Sequence, residues 1–162
     1  MRYFSLVLFA VLIINGCKKD NNIVSTSANQ DISSSTIKDS IEYTLTVPKT
    51  SFGINDTLSL TFAALNQSSK PDTLVIGLNP NLYSWTLKEE SGRTVMFGPM
   101  GADDMVEMMS IPPDQSKVMY SLHQAIKDTS GADVKKGLYI LQWDLNNHST
   151  KLVSLTLNIT IQ

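Results

Sequence analysis

Val153-Ser154-Leu155-Thr156-Leu157-Asn158-Ile159-Thr160-Ile161 alternates aliphatic and polar residues without a break. Successive side chains of a strand point to opposite faces, so this stretch offers one face to a core and the other to water. The same period of two recurs back along the chain. Tyr139, Leu141, Trp143 and Leu145 share a face, as do Val118, Tyr120 and Leu122. So do Tyr83, Trp85 and Leu87, then Leu74, Ile76 and Leu78, then Leu58, Leu60 and Phe62, and first Ile41, Tyr43, Leu45 and Val47. Turn-forming residues separate them: Pro48, Asn66-Gln67-Ser68-Ser69-Lys70-Pro71, Asn79-Pro80-Asn81 and Ser91-Gly92 ahead of Arg93 to Phe97.

No window of helical length sustains a 3.6-residue pattern, and Gly101 to Met109 is expected to hold a short helical turn at most. About seven to nine short strands spaced by turns predict an all-β fold, a single antiparallel β-sandwich of Ig-like type over 41–162. Trp85 and Trp143 are its large core fillers, and a register slip of one residue would turn them into water. The Cys–Trp–Cys pattern of antibody domains is absent.

Upstream of the sandwich the composition changes. Residues 17–40 are rich in Asn, Ser, Thr, Asp and Lys, with isolated Ile23, Val24, Ile32 and Ile37 and no aromatic residue. Such a stretch lacks the apolar surface to offset its ordering entropy, and a flexible tether is expected. Before it, Arg2 precedes an apolar run from Tyr3 to Ile14 broken only by Ser5. At about 12 residues the run suits a signal-peptide core of roughly 7–15 and is too short for a spanning helix of about 20.

The run ends in Ile14-Asn15-Gly16-Cys17, which resembles the lipobox of bacterial lipoproteins: an aliphatic residue, a free position, a small residue, then Cys. The resemblance implies that residues 1–16 are a lipoprotein signal peptide and that Cys17 is lipidated after cleavage. A lone cysteine in an exported chain otherwise leaves an odd thiol. Each buried methylene contributes about 0.8 kcal/mol, so two or three acyl chains would hold the protein to a membrane without spanning it. The expected location is the cell envelope, on the periplasmic side or the cell surface.

The chain has 162 residues and a formal net charge of −2. Lys and Arg are scattered with no basic stripe, which argues against nucleic acid as a partner. Catalytic signatures are thin: His123 and His148 are the only histidines, and neither G-x-S-x-G nor H-E-x-x-H occurs. No cofactor motif is present, and the expectation is a non-enzymatic protein.

A second resemblance runs through the sandwich. Leu65-Asn66-Gln67-Ser68-Ser69-Lys70-Pro71-Asp72-Thr73-Leu74 is followed by Tyr83-Ser84-Trp85-Thr86-Leu87 and Glu90 to Val95. Then come Met105, Ile111-Pro112-Pro113-Asp114-Gln115-Ser116 and Lys136-Gly137-Leu138-Tyr139. This order is similar to the intracellular proteinase inhibitor family of bacilli and its Ig-like relatives. The resemblance implies a module that binds an envelope protein or peptide. Within the turn, Pro113 suits the second position of a type I turn.

Apart from Met1, every methionine falls between Met96 and Met119. Met96, Met100, Met105, Met108 and Met109 form a candidate partner-binding surface, because flexible thioethers adapt to apolar partners. Loops cluster at the ends of a sandwich, so Met96 to Met109 and His123 to Lys136 are the first places to look. If Val118, Tyr120 and Leu122 point inward, Met119 and His123 share the outward face, and a Met/His copper-binding or chaperone role becomes the alternative. Asp103-Asp104 with Glu107 lacks the alternating oxygen ligands of a calcium loop and reads as solvated. Asp39-Ser40-Ile41, Asp56-Thr57-Leu58 and Asp72-Thr73-Leu74 resemble the acceptor tripeptide for O-glycans in some exported bacterial proteins, and also fit ordinary strand entries.

Overall fold

A computed structural model of the chain describes residues 23–25, 31–77, 83–98, 106–147 and 150–162. Residues 1–16, Cys17, Met100, Met105 and His148 lie outside the described residues. Every regular element among those described is a strand. In chain order they are β1 (Ile23–Ser25), β2 (Ile32–Lys38), β3 (Ile41–Val47), β4 (Ser51–Phe52), β5 (Thr57–Asn66) and β6 (Asp72–Gly77). There follow β7 (Tyr83–Glu89), β8 (Thr94–Gly98), β9 (Val106–Ile111), β10 (Ser116–Ala125), β11 (Gly137–Asn147) and β12 (Thr150–Ile161). Two five-stranded sheets result, ordered β1-β2-β3-β5-β10 and β4-β12-β11-β7-β8, with β6 and β9 paired apart as a ribbon. The pairings are antiparallel except that β4 lies parallel to the end of β12, through Thr160↔Ser51 and Ile161↔Phe52.

The antiparallel β-sandwich expected from the alternation is the fold. Ile41, Tyr43, Leu45 and Val47 turn inward from β3, Leu58, Leu60, Phe62 and Ala64 from β5, and Val153, Leu155, Leu157, Ile159 and Ile161 from β12. Trp143 on β11 lies directly opposite Trp85 on β7 and bridges the sheets. Its ring stacks on Phe62 at 4.8 Å and on Tyr83 at 5.2 Å, and is tilted against Tyr120 at 5.0 Å. Such aromatic contacts add about 0.5–1.5 kcal/mol per pair to the area they bury.

The sheet begins earlier than the expected tether boundary at residue 40. Residues 32–38 form β2, which pairs with β3 from Ile32↔Val47 to Lys38↔Ile41. Its inward positions opposite Leu45 and Tyr43 are Ser34 and Thr36, so the strand carries no apolar alternation to read. Backbone pairing holds it, with Ile32 alone packing on the core and Ile37 exposed on the outer face. Residues 106–109, expected to offer at most a helical turn, lie in β9 and pair with β6 from Asp72↔Ile111 to Gly77↔Val106. The ribbon turns Leu74 and Met109 onto the core and leaves Met108 outward.

Bulges mark the places where alternation fails. Leu87↔Met96 is followed by Lys88↔Thr94, so Val95 is an extra residue and both Val95 and Met96 are buried. Val118↔Ala63 is followed by Tyr120↔Phe62, which makes Met119 the extra residue of β10.

Candidate functional site

The registers bring many strand termini to one end of the sandwich. In the first sheet β2 ends, β3 begins, β5 ends and β10 begins there, through Lys38↔Ile41, Ile41↔Asn66 and Ser116↔Leu65. In the second sheet β7 begins, β8 ends, β11 ends and β12 begins together, through Leu145↔Tyr83, Trp85↔Gly98 and Asn147↔Thr150. The Lys38 ammonium donates to the Leu152 carbonyl at 3.3 Å, tying the two sheets at that same end.

Asn66 organises this end. The residue is wholly buried, yet each of its polar atoms has a partner. Its side-chain Nδ2 donates to the carbonyls of Lys70 at 2.7 Å and Ile111 at 2.9 Å, while Oδ1 accepts the Ser68 N–H at 2.8 Å. Its main-chain N–H donates to the Gln115 carbonyl and its own carbonyl accepts the Asp114 N–H. The Gln67 N–H reaches the Ser40 carbonyl at 2.8 Å, which joins the β2–β3 turn to the same knot. Within the next turn the Gln115 N–H donates to the Pro112 carbonyl, and Asp114 has a positive φ of 55°. A positive φ at the third position defines a type II turn, so Pro113 presets a type II turn rather than the expected type I. The Asn66–Pro71 and Ile111–Gln115 segments that carry the family resemblance are therefore two halves of one structural joint.

The described methionines are divided by the fold rather than gathered. Met96 is buried in β8, and Met109 and Met119 pack against the core. Met108, at 74% exposure, is the one outward thioether among the described residues. The expected partner surface is thus reduced, among the described residues, to the outer side of the β6–β9 ribbon. The copper alternative needed Met119 and His123 on one outward face, and the bulge at Met119 separates them. Met119 turns to the core while His123 stays exposed. No group of three or more His, Cys, Asp or Glu among the described residues could hold a metal ion.

His123 lies directly opposite Ser59, with Nδ1 at 2.7 Å from the hydroxyl. A serine beside an imidazole is the first requirement of nucleophilic catalysis. This pair, however, stands on an open sheet face, and no described carboxylate orients the ring. The geometry is that of a polar cross-strand pair.

On the outer face of the second sheet a polar relay crosses the strands. Lys88 donates to Gln142 at 3.1 Å, and Gln142 donates to both oxygens of Asp144. Ser154 donates to Asp144 at 2.6 Å, and Lys151 lies 3.0 Å from it. Burial alone would raise the Asp144 carboxyl, but the hydrogen bonds from Gln142, Ser154 and Lys151 outweigh it and hold it below the usual carboxylate range. Beyond this relay Leu138 and Ile140 are exposed and line a shallow groove of about 220 Å³ with Glu90, Tyr139 and Asn158.

The segment from His123 to Lys136 is tied down at the opposite end. Ile126 and Val134 are buried, and the Asp128 carboxylate accepts the N–H groups of Ser130 and Ala132. Lys127 pairs with Asp133 across an isolated bridge, and the Tyr139 hydroxyl donates to the Lys135 carbonyl.

No family model matches the chain, and no curated protein matches it. Among solved structures it is similar to the β-glucosidase EmGH1 of Erythrobacter marinus, with a TM-score of 0.48 and 12% identity over 80% of this chain and 16% of that one. It is similar also to the alkylpurine DNA glycosylase AlkC of Pseudomonas fluorescens bound to DNA containing an abasic site analogue, at 0.42 and 11% over 72% of this chain and 28% of that one. The β-glucosidase of Listeria innocua in complex with isofagomine gives 0.41 and 11% over 79% and 16%. The chain spans under a third of the length of each.

Proposed function

We propose that the chain is a lipid-anchored protein of the bacterial cell envelope whose Ig-like β-sandwich binds a protein or peptide and performs no catalysis. One observation carries the reading: the only cysteine, Cys17, closes Ile14-Asn15-Gly16-Cys17 at the end of a short apolar run behind Arg2. The Ig-like assignment is supported by the strand order. A β3-β5-β10 sheet faces a β12-β11-β7-β8 sheet, and β4 crosses over to run parallel with β12. The likeness to proteinase inhibitors supports a binding role, with the outward side of the β6–β9 ribbon and its Met108 as the first contact surface.

Crosslinking in intact cells, followed by isolation of the full-length lipoprotein, tests the binding role. The expected result is a discrete protein adduct that weakens several-fold in Met108→Lys. Recovery of no protein partner, or of sugars alone, contradicts it.

A further inference from the structure

The three tripeptides Asp39-Ser40-Ile41, Asp56-Thr57-Leu58 and Asp72-Thr73-Leu74 each end in an aliphatic residue that packs inward. Ile41 and Leu58 are buried and Leu74 packs on the core. Ser40 and Thr73 are exposed, while Thr57 is half-buried in a sheet rung opposite Ala125.

Strand alternation accounts for Thr57 and Thr73. It does not account for Ser40, which forms with Asp39 the two-residue turn between Lys38 and Ile41. Both turn residues have positive φ, 52° at Asp39 and 65° at Ser40. Turns of this kind favour Asn-Gly, because a Cβ in the left-handed region is crowded against the following carbonyl. Asp tolerates that region through its short polar side chain; Ser is a poorer choice than Gly at the second position. The chain thus keeps an exposed hydroxyl where the backbone alone would select glycine. At Thr73 the neighbouring Asp72 carboxylate accepts the Thr73 main-chain N–H at 2.7 Å. That contact fixes the backbone, and no described residue hydrogen-bonds the hydroxyl of Thr73 or of Ser40.

We infer that Ser40 and Thr73 are acceptors for O-linked neutral sugars. In the transfer, the side-chain oxygen forms a bond to the anomeric carbon of an activated sugar phosphate. The bond from that carbon to the donor's phosphate breaks, the phosphate leaves with the electron pair, and a base of the transferase takes the hydroxyl proton. Nothing is oxidised or reduced. A phosphoryl group in the same place would set a charge of about −1.5 to −2 beside Asp39 or Asp72, whereas a neutral sugar needs only room. Both acceptors lie at the Asn66 end: the Ser40 carbonyl takes the Gln67 N–H, and Thr73 follows the turn that Asn66 closes through Lys70. The inference shares with the proposed function the export of the chain, but does not need the lipid.

Full-length protein isolated from the envelope of the cells that encode it, digested and sequenced by mass spectrometry, tests it. Sugar mass increments are expected on the peptides containing Ser40 and Thr73, with Thr57 bare. Ser40→Gly relieves the turn while removing the hydroxyl, so its loss of sugar cannot be ascribed to misfolding, and Thr73→Val removes the second increment. Bare peptides at both positions, phosphate in place of sugar, or sugar on Thr57 alone overturn the inference. The Cys17 peptide of the same digest reports the lipid separately, so the two ideas fail independently.

Discussion

Asn66 and the aromatic column around Trp143 are both buried, both polar in part, and held in opposite ways. Every polar atom of Asn66 is paired, and it ties two turns together while its neighbour Gln67 joins the third. In the column the Tyr83 hydroxyl and the indole nitrogens of Trp85 and Trp143 have no partner among the described residues. The joint is stabilised by direction, because its hydrogen bonds admit one arrangement of the chain. The column is stabilised by bulk, because its rings fill space between two sheets whatever their polar atoms do. Polar groups are indispensable in the first region and expendable in the second.

The largest effect is expected at Asn66. Asn66→Ala leaves the Ile111 carbonyl and the Ser68 N–H without their side-chain partner and the Lys70 carbonyl with the Ser68 hydroxyl alone, and each buried unpaired group costs about 1–3 kcal/mol. With water reaching the outer part of the turn, a loss of about 2–4 kcal/mol is expected in chemical denaturation. A loss below about 0.5 kcal/mol, the range of an ordinary surface change, would break the contrast. Next comes Gly98→Ala, where a Cβ would overlap the Trp85 indole nitrogen. Overpacking of this kind costs about 1–3 kcal/mol, and near-ultraviolet circular dichroism should report the displaced indole.

At the small end, Tyr83→Phe removes an unpaired hydroxyl and should change stability by less than about 0.5 kcal/mol at neutral pH, or increase it. Its effect shows at high pH. Burial, with Tyr120 adding to it, pushes the Tyr83 phenol up to about 12. A folded value above the unfolded value of about 10 gives stability that is full below pH 10 and lost as pH rises toward 12. The variant should therefore lose less stability than the parent over that window. Asp144 gives the mirror case. Its depressed carboxyl contributes stability that is present above the unfolded value of about 4 and lost as pH falls through the lower folded value. Asp144→Asn should flatten that acid limb, as read from denaturation midpoints against pH.

Much of the fold was legible because the inward positions of β3, β5, β7, β11 and β12 carry the apolar residues. β2 was hidden because Ser34 and Thr36 occupy its inward positions, and a strand held by its backbone writes no hydrophobic period. β9 was hidden because Met108 and Met109 are adjacent and only the second packs on the core. The bulge at Met119 could not be read, since inserting one residue reverses which face its neighbours take. Asn66 was legible as a turn residue but not as a buried hub, because its partners Ile111, Asp114 and Gln115 are far away in sequence. A signal was present in the recurrence of two Pro-containing turns. What it marked was the joint, and the exposed part of the candidate surface, Met108, carries no signal that separates it from its buried neighbours.

The anchor is the claim on which the functional account rests, and the mature N-terminus tests it most directly. Cells expressing the full-length protein are fed a clickable fatty acid, and the protein is recovered from the membrane fraction for mass analysis of its first peptide. The account predicts a chain beginning at Cys17, carrying the label, with both label and membrane retention lost in Cys17→Ser. A chain that retains residues before Cys17, or begins elsewhere with an unmodified Cys17 thiol, would contradict it.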